Sequence, residues 1–594
     1  MTGEPRKERE TFLVYLIKPS HYDDDGYVIQ WLRSAIPSNT LATLNGLFVD
    51  SIERRILGDN VDIEVRAIDE TNARVRPKKI VAEMQANGGR GMVGFVGVQS
   101  NQFPHTMDLA RPLRAADIQV VIGGFHVSGC LAMLPAVPPD IQEAMDLGIS
   151  VFAGEAEGRL DQVLRDAWAG TLKPSYNYMN DLPGLEGAVT PILPPTRVKR
   201  TAGGISSFDA GRGCPFQCSF CTIINVQGRK SRRRSPDDIE RIIRDNAAHG
   251  IFSFFITDDN LARNKDWEII FDRIIHLREV EKIPVRFIIQ VDTLCHQISG
   301  FIEKAGRAGV RRVFIGLENI NPDSLMSANK RQNRITDYRG MLLAWRSVGV
   351  TTYAGYILGF PGDTPESIVR DIEIIKRELP IDLLEFFCLT PLPGSQDHKT
   401  LTEKGVWMDP DMNKYDLEHV TTGHAVMSAE EWQRAYRLAW KTYFTPDHIR
   451  TVMRRAVPSG ISAGKVLFLM LWFHGCMKIE GLHPLEGGYF RRKYRRDRRP
   501  GLPRENPLIF YPRYAWEIVY KHGCLLALIL RYGAFRQRLK YDPAARHYTD
   551  LSLTPVDEEE FDALEMFAVT ESAKAAVEKM RTREEQRARR AAVG

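Results

Sequence analysis

The stretch Gly211-Arg-Gly-Cys-Pro-Phe-Gln-Cys-Ser-Phe-Cys221 sets three cysteines, Cys214, Cys218 and Cys221, at the spacing C-x3-C-x2-C. Thiolates are soft ligands suited to iron–sulfur clusters or zinc, and three of them leave one position of a four-metal or tetrahedral site without a protein ligand. Structural zinc normally closes with four ligands, and the nearest histidine downstream, His249, falls in a predicted helix. The open position points to chemistry and not to scaffolding.

Downstream of this loop, strand-like and helix-like stretches alternate. Apolar, β-rich runs occur at 204–210, 252–257, 284–290, 311–316, 351–358 and 383–389, and segments of helical periodicity fall near 236–249, 266–280, 297–308, 335–348 and 364–378. This is a βα repeat that builds a parallel sheet. The first helix after the cysteines has a well-marked start: Ser235 as N-cap, Pro236 in the first turn, and Asp237 and Asp238 at the positive end of the helix dipole.

The cysteine spacing, with the aromatic Phe220 directly before the last thiol, closely resembles the signature of the radical S-adenosylmethionine (radical SAM) superfamily. The resemblance implies a [4Fe–4S] cluster on Cys214, Cys218 and Cys221. Its fourth iron would chelate SAM, whose reductive cleavage gives a 5′-deoxyadenosyl radical. Six strands suit the partial (β/α)6 barrel of that superfamily, in which loops at the carboxyl ends of the strands build the site. The resemblance places SAM contacts there: Phe220 in the cysteine loop, Asp258, Asp259 and Asn260 after the second strand, Gln290 and Asp292 after the third, Glu318 after the fourth, and Ile357 and Gly359 in the fifth. Asp258 and Asn260 also have a plain alternative as helix caps.

Upstream, strands read at 12–18, 62–68, 92–98, 119–122 and 150–153, with helix-like stretches around 26–57, 78–87, 106–116 and 138–147. This predicts a small doubly wound α/β domain, whose ligand lies beyond the carboxyl ends of the strands. Gln99, Ser100, Asn101 and Gln102, then Gly123, Gly124 and His126, then Gly154 and Glu155, stand at those ends. With the cysteines downstream, this ordered set resembles the cobalamin-binding domain that precedes many radical SAM barrels, including the class B methyltransferases and the magnesium-protoporphyrin cyclase group. The resemblance implies cobalamin at these nine residues. One departure is the lack of D-x-H-x-x-G, whose histidine binds cobalt from below: His21, His105 and His126 lack that context. A domain that has lost its cofactor is the alternative.

The expected architecture is therefore α/β, with a doubly wound, Rossmann-like cobalamin-type domain over 10–185, a radical SAM barrel over 200–425 and a mainly helical, basic region over 426–594. The resemblance implies an enzyme that C-methylates an unactivated carbon of a small-molecule or lipid-like substrate, fed electrons by a flavodoxin- or ferredoxin-type donor. Two other readings stay open. One is a non-methylating radical reaction, a cyclisation or carbon–carbon coupling on a tetrapyrrole or lipid-like molecule; the other is a non-enzymatic cobalamin sensor or scaffold.

With 594 residues, 43 % of them hydrophobic and 26 % charged, the chain suits about three globular domains. Eight cysteines, three of them clustered, do not form a disulfide framework, so a reducing cytoplasm is the expected setting. The sequence starts with a polar stretch and no apolar signal segment. Within the run 490–499, seven basic side chains fall in the nine positions from Arg491, beside apolar stretches at 466–473 and 524–530 that read as too short to span a bilayer. Basic clusters beside apolar helix faces suit an anionic membrane surface at the inner face, or a lipid-like substrate. The alternative is a helical cap over the barrel mouth. Nucleic acid is not expected, since no base-stacking motif accompanies the charge.

Overall fold

A computed structural model of the protein describes residues 9–555 and 563–593. Ahead of the cysteine loop lie β1 (Glu10–Lys18), β2 (Gln30–Ser34), β3 (Val61–Asp69), β4 (Gly91–Phe95), β5 (Gln119–Gly123), β6 (Ser150–Ala153) and β7 (Ser175–Asn177). All but β2 join one parallel sheet in the order β3-β1-β4-β5-β6-β7. The chain leaves β1 to one side for β3 and returns to the other for β4, so the topological switch falls between β1 and β4. Phe12 to Ile17 are all buried, the unbroken apolar run expected of a parallel strand covered on both faces.

The second sheet is built from β8 (Ile205–Phe208), β11 (Ser253–Ile256), β12 (Arg286–Val291), β13 (Val310–Glu318), β14 (Thr351–Leu358) and β15 (Leu383–Cys388), all parallel, in the order β15-β14-β13-β12-β11-β8. Apart from β8, each strand pairs with the one before it in this repeat, and β8 and β15 remain unpaired edges: an open six-stranded barrel. Helices Pro236–Ala248, Trp267–Glu279, Phe301–Ala308, Tyr338–Ser347 and Pro365–Glu378 follow its first five strands. At the first of these Ser235 Oγ accepts from Asp238 N (3.1 Å) in a capping box. Between β8 and that helix, the short strands β9 (Gly211–Arg212) and β10 (Arg232–Arg233) pair antiparallel and close the base of the cysteine loop.

The sequence pattern predicts a helix through 26–57, but the chain instead forms β2 and then a helix from Asn39 to Glu53. β2 pairs antiparallel with β16 (Gly488–Arg492), more than 450 residues away in sequence. Trp31 is buried at this junction, and a Cβ on Gly488 would lie 2.0 Å from its ring. Pairing that depends on so distant a partner overrides local periodicity.

The C-terminal region adds helices Ala429–Tyr443, Pro446–Ala456 and Ala463–Gly475, a helix of 35 residues at Pro507–Tyr541, and Glu571–Val593. The basic run 490–499 is not a free cationic face. Arg491 pairs with Asp23 (2.8 Å), Lys493 with Glu517 (3.1 Å) and Arg499 with Asp411 (2.7 Å), while Arg74 reaches Asp497. It ties the C-terminal region to the N-terminal sheet and the end of the barrel. The apolar stretch 524–530 is short, as expected, but it lies within a much longer helix. That stretch belongs to Pro507–Tyr541, which is long and apolar enough for a membrane by length and composition.

Candidate active site

The cysteine loop leaves the carboxyl end of β8 and folds back on itself. Gly213 has φ +92°, and a Cβ there would sit 2.5 Å from Lys230 O, so only glycine suits the turn. Cys214 N donates to Gly228 O (3.2 Å) and Cys221 N to Cys218 O (3.2 Å). Among the described residues no three His, Cys, Asp or Glu side chains converge tightly enough for a single metal ion; the corners of a cube-shaped cluster lie farther apart. Burial, and then Asp259, push the Cys221 thiol up to about 12, and burial also raises Cys214. Thiols in such surroundings stay protonated until a metal takes the proton's place. Three thiols on one loop are a donor set chemically suited to a [4Fe–4S] cluster.

Two residues absent from the sequence reading stand beside them. Gln332 Nε2 lies 3.4 Å from Cys218 Sγ. Lys330 is buried, its ammonium 2.5 Å from Glu318 Oε1 and over the Phe220 ring at 5.7 Å. Burial pulls this ammonium down, but Glu318 and then Cys218 more than offset it and hold Lys330 charged well above the ordinary lysine range. The turn that carries Glu318 is tight: Glu318 has φ +63°, and a Cβ on Gly316 would lie 2.8 Å from its carboxylate.

The other predicted contacts surround this centre. Asp258 does not cap a helix; its Oδ1 accepts from Ala210 N (2.6 Å), at the root of the cysteine loop. Burial pushes both Asp258 and Asp259 up to about 7. Asn260 precedes the turn Leu261–Arg263, yet its side chain bonds Asp292 (2.7 Å) instead of the turn. Asp292 also receives Arg263 through two bonds (2.6 and 2.8 Å), and Gln290 Nε2 donates to Asp258 O (3.3 Å). These residues brace the β11 and β12 loops against one another. Ile357 packs with Phe360 and Ala328, against Phe220 and Phe387, in an apolar wall near the cysteines. Gly359 is obligatory: at φ +102° its Cβ would meet the Trp432 ring at 1.8 Å.

A further carboxyl lies inside the barrel. Phe386 packs outward on Trp440 and Tyr443, so strand alternation aims Glu385 and Phe387 inward. Glu385 is 1 % exposed, neither of its oxygens meets a donor among the described residues, and burial pushes it up to about 8.

The N-terminal sheet presents a cavity at the carboxyl ends of β4, β5 and β6, where Gly94, Gly97, Gly123, Gly124 and Gly154 line it without side chains. Leu16, Phe48 and Met92 form apolar walls, and Arg212, Val226 and Gln227 of the cysteine loop close the far side. The cavity therefore lies between the switch edge of one sheet and the cysteine loop of the other. Gly124 has φ +151°, and a Cβ there would strike Val98 N at 2.1 Å.

The remaining predicted cobalamin residues have mostly internal partners. Gln99 and Gln102 form a capping box around the turn Ser100–Gln102. Asn101 reaches Glu486 of the C-terminal region (3.2 Å). His126 lies in the helix Phe125–Met133, with Nε2 on Asp140 (2.8 Å) and Nδ1 on Ser100 Oγ (3.1 Å), so both ring nitrogens are engaged. Glu155 accepts from Arg212 Nη1 (2.8 Å) and from Arg232 Nη1 (2.8 Å), and Arg212 also bonds Glu157 (2.7 Å) and Asp209 (3.1 Å). This buried ion-pair network locks the cysteine loop to the N-terminal sheet.

The open parallel barrel, with three thiols beyond the carboxyl end of its first strand, has the arrangement of a radical SAM domain. Residues 210–375 match the model of the Radical SAM superfamily. The domain's cofactors are a [4Fe–4S] cluster and SAM. Bacteriochlorophyllide d C-12(1)-methyltransferase from Chlorobaculum tepidum is 28 % identical over 311 residues, 50 % of this chain and 63 % of that protein. Bacteriochlorophyllide d C-8(2)-methyltransferase from the same organism is 27 % identical over 353 residues, 56 % of this chain and 73 % of that one. Hopanoid C-2 methylase from Rhodopseudomonas palustris is 25 % identical over 310 residues, covering 50 % and 56 %. The chain thus spans less than two thirds of the first and third of these. The solved structure of the radical SAM methyltransferase TsrM from Kitasatospora setae, with cobalamin and a [4Fe–4S] cluster bound, shares the fold at TM-score 0.51 and 16 % identity, over 74 % of this chain and 90 % of that one.

Proposed function

We propose that the protein is a cobalamin-dependent radical SAM C-methyltransferase acting on an unactivated carbon of a lipid-like or tetrapyrrole-like small molecule. The observation that carries this reading is the glycine-edged cavity between the switch edge of the N-terminal sheet and the cysteine loop. A side chain on Gly94 or Gly123 would fill it, and its far wall belongs to the loop of Cys214, Cys218 and Cys221. When bound, the cluster with SAM supplies a carbon-centred oxidising radical, and cobalamin supplies a transferable methyl group.

The chain's own residues hold and shield these groups. Cys214, Cys218 and Cys221 provide the thiolates, and Lys330 sets a fixed positive charge beside them. Asp258, Asp259 and Asn260 offer polar atoms at the carboxyl end of β11. The apolar wall of Ile357, Phe360 and Phe220 excludes water from the same space, which protects a reactive radical from side reactions. The eight cysteines are all unpaired, in keeping with a reducing cytoplasmic setting; the cluster would draw its electron from a flavodoxin- or ferredoxin-type donor.

The test is anaerobic reconstitution with iron, sulfide and cobalamin, followed by incubation with methyl-labelled SAM and candidate polycyclic lipids or tetrapyrroles. Retained corrin, 5′-deoxyadenosine and label in a methylated product are expected, all but the corrin lost in Cys218→Ala. Product formed with no transferred label overturns methyl transfer in favour of another radical reaction.

A further inference from the structure

The helix Pro507–Tyr541 has two unlike sides. Along one, Phe510, Tyr532 and Leu539 are buried, and Tyr514, Glu517, Lys521, Leu528 and Phe535 are half-buried, a stripe at helical spacing that seats the helix on the protein. Lys521 pairs with Glu480 (2.6 Å) and Arg454 stacks over Phe535, so both halves are anchored. Along the other side the exposed residues are large and apolar: Leu508 at 83 %, Trp516 at 68 %, Leu530 at 65 %, Val519 at 64 % and Leu526 at 55 %. Phe468, on the neighbouring helix Ala463–Gly475, is 62 % exposed. A contiguous apolar surface of this kind marks a binding face.

Its charge identifies the occupant. The helix carries six basic side chains and one acidic, and so alone accounts for the chain's formal net charge of +5. The one acid, Glu517, is half-buried and paired with Lys493 and Lys521, whereas Arg531, Arg536, Arg538 and Lys540 are exposed. Although its length and overall composition would also pass for a crossing, charged residues recur along the helix, and its longest uncharged run, His522 to Leu530, is nine residues, about half of an uninterrupted span. An apolar stripe flanked by exposed cations and held by the protein along its back fits the plane of an anionic membrane interface.

We propose that this face docks the enzyme on the surface of an anionic lipid bilayer, with the helix lying in the interface and Trp516, Leu526 and Leu530 entering the acyl boundary. The inference does not depend on methyl transfer.

The experiment uses the full chain with vesicles of mixed phosphatidylglycerol and phosphatidylcholine, or of phosphatidylcholine alone, read by co-sedimentation and by quenching of tryptophan with brominated lipid. Binding to the anionic vesicles is expected, weakening as ionic strength rises because the Debye length shrinks. The substitutions L526E and L530E together should lower the bound fraction at least about tenfold, and W516F should remove most of the quenching. R536E with R538E is a second variant that leaves the apolar stripe intact and should abolish the preference for anionic lipid. Cys218→Ala should bind vesicles as the wild type does, which separates this inference from the catalytic one. Protein that stays in the supernatant with anionic vesicles at low salt overturns the proposal. So does a salt-resistant dimer dispersed by L526E and L530E, or binding to duplex nucleic acid in place of vesicles.

Discussion

Gly129 and Gly394 meet backbone to backbone. A Cβ on Gly129 would lie 2.8 Å from Gly394 Cα and 2.5 Å from Pro393 O, and a Cβ on Gly394 would lie 2.8 Å from Gly129 Cα. Gly129 belongs to the helix Phe125–Met133 of the N-terminal sheet, and Gly394 to the loop after β15, the last strand of the barrel. This contact fixes how closely the glycine-edged cavity approaches the cysteine loop. Gly129→Val forces the two bodies apart, at the about 1–3 kcal/mol typical of overpacking. A lower melting temperature and loss of retained corrin are expected, with iron content of the reconstituted protein unchanged. Unaltered corrin retention would show that the approach is not critical.

Glu155 supplies the electrostatic half of the same junction. Removing one partner of a buried, hydrogen-bonded pair leaves the others uncompensated, which costs about 3–5 kcal/mol. Glu155→Ala takes its carboxylate partner from Arg232, 17 % exposed, and one of three carboxylates from Arg212, 9 % exposed, which keeps Glu157 and Asp209. It should destabilise the protein far more than Asp161→Ala, which breaks the half-exposed pair with Arg54 at a cost below about 1 kcal/mol. Paired thermal melts decide this; equal shifts would contradict a buried clamp.

The barrel is legible in the sequence because parallel strands covered on both faces read as unbroken apolar runs, and because Ser235 and its acidic neighbours announce a helix start. The switch edge of the N-terminal sheet is legible for the same reason. What escapes reading is whatever depends on distant partners. Gln30-Trp-Leu-Arg-Ser34 becomes a strand only through β16, and the run 490–499 becomes a clamp only because Asp23, Glu517 and Asp411 meet it. Lys330 carries no local sign of burial within Asn329-Lys-Arg-Gln332. Glu385 does carry one: it stands alone among apolar residues in Leu-Leu-Glu-Phe-Phe, two positions from each of Leu383 and Phe387. The helix Pro507–Tyr541 is obscured because the charges that fasten it interrupt its apolar stripe.

Lys330 predicts a redox effect. Cluster potentials respond to local net charge and hydrogen bonding, and this ammonium faces the cysteines while paired with Glu318. Lys330→Gln should still assemble the cluster, with iron content and visible absorption kept, but should be reduced at a more negative potential. Potentiometric titration followed by electron paramagnetic resonance measures this. A potential equal to that of the wild type would mean that the lysine's charge does not reach the cluster.

Glu385 predicts a dependence of stability on pH. Its folded-state acidity lies at about 8 through burial, whereas an unfolded glutamate titrates near about 4.3. Between those values the folded protein keeps a proton that the unfolded chain has released, so stability falls with rising pH by up to about 1.4 kcal/mol per pH unit from this group alone. Below about pH 4 both states are protonated, and above about 8 both are ionised, so the slope vanishes at either end. Glu385→Gln removes the titration. The variant should gain stability on the wild type from pH 5 to pH 8, and the gap should stop widening beyond that. Parallel denaturation curves across this range, taken on the protein without added cofactors, test it. A constant difference at every pH would mean that the carboxyl finds a partner or water in solution and ionises normally inside the barrel.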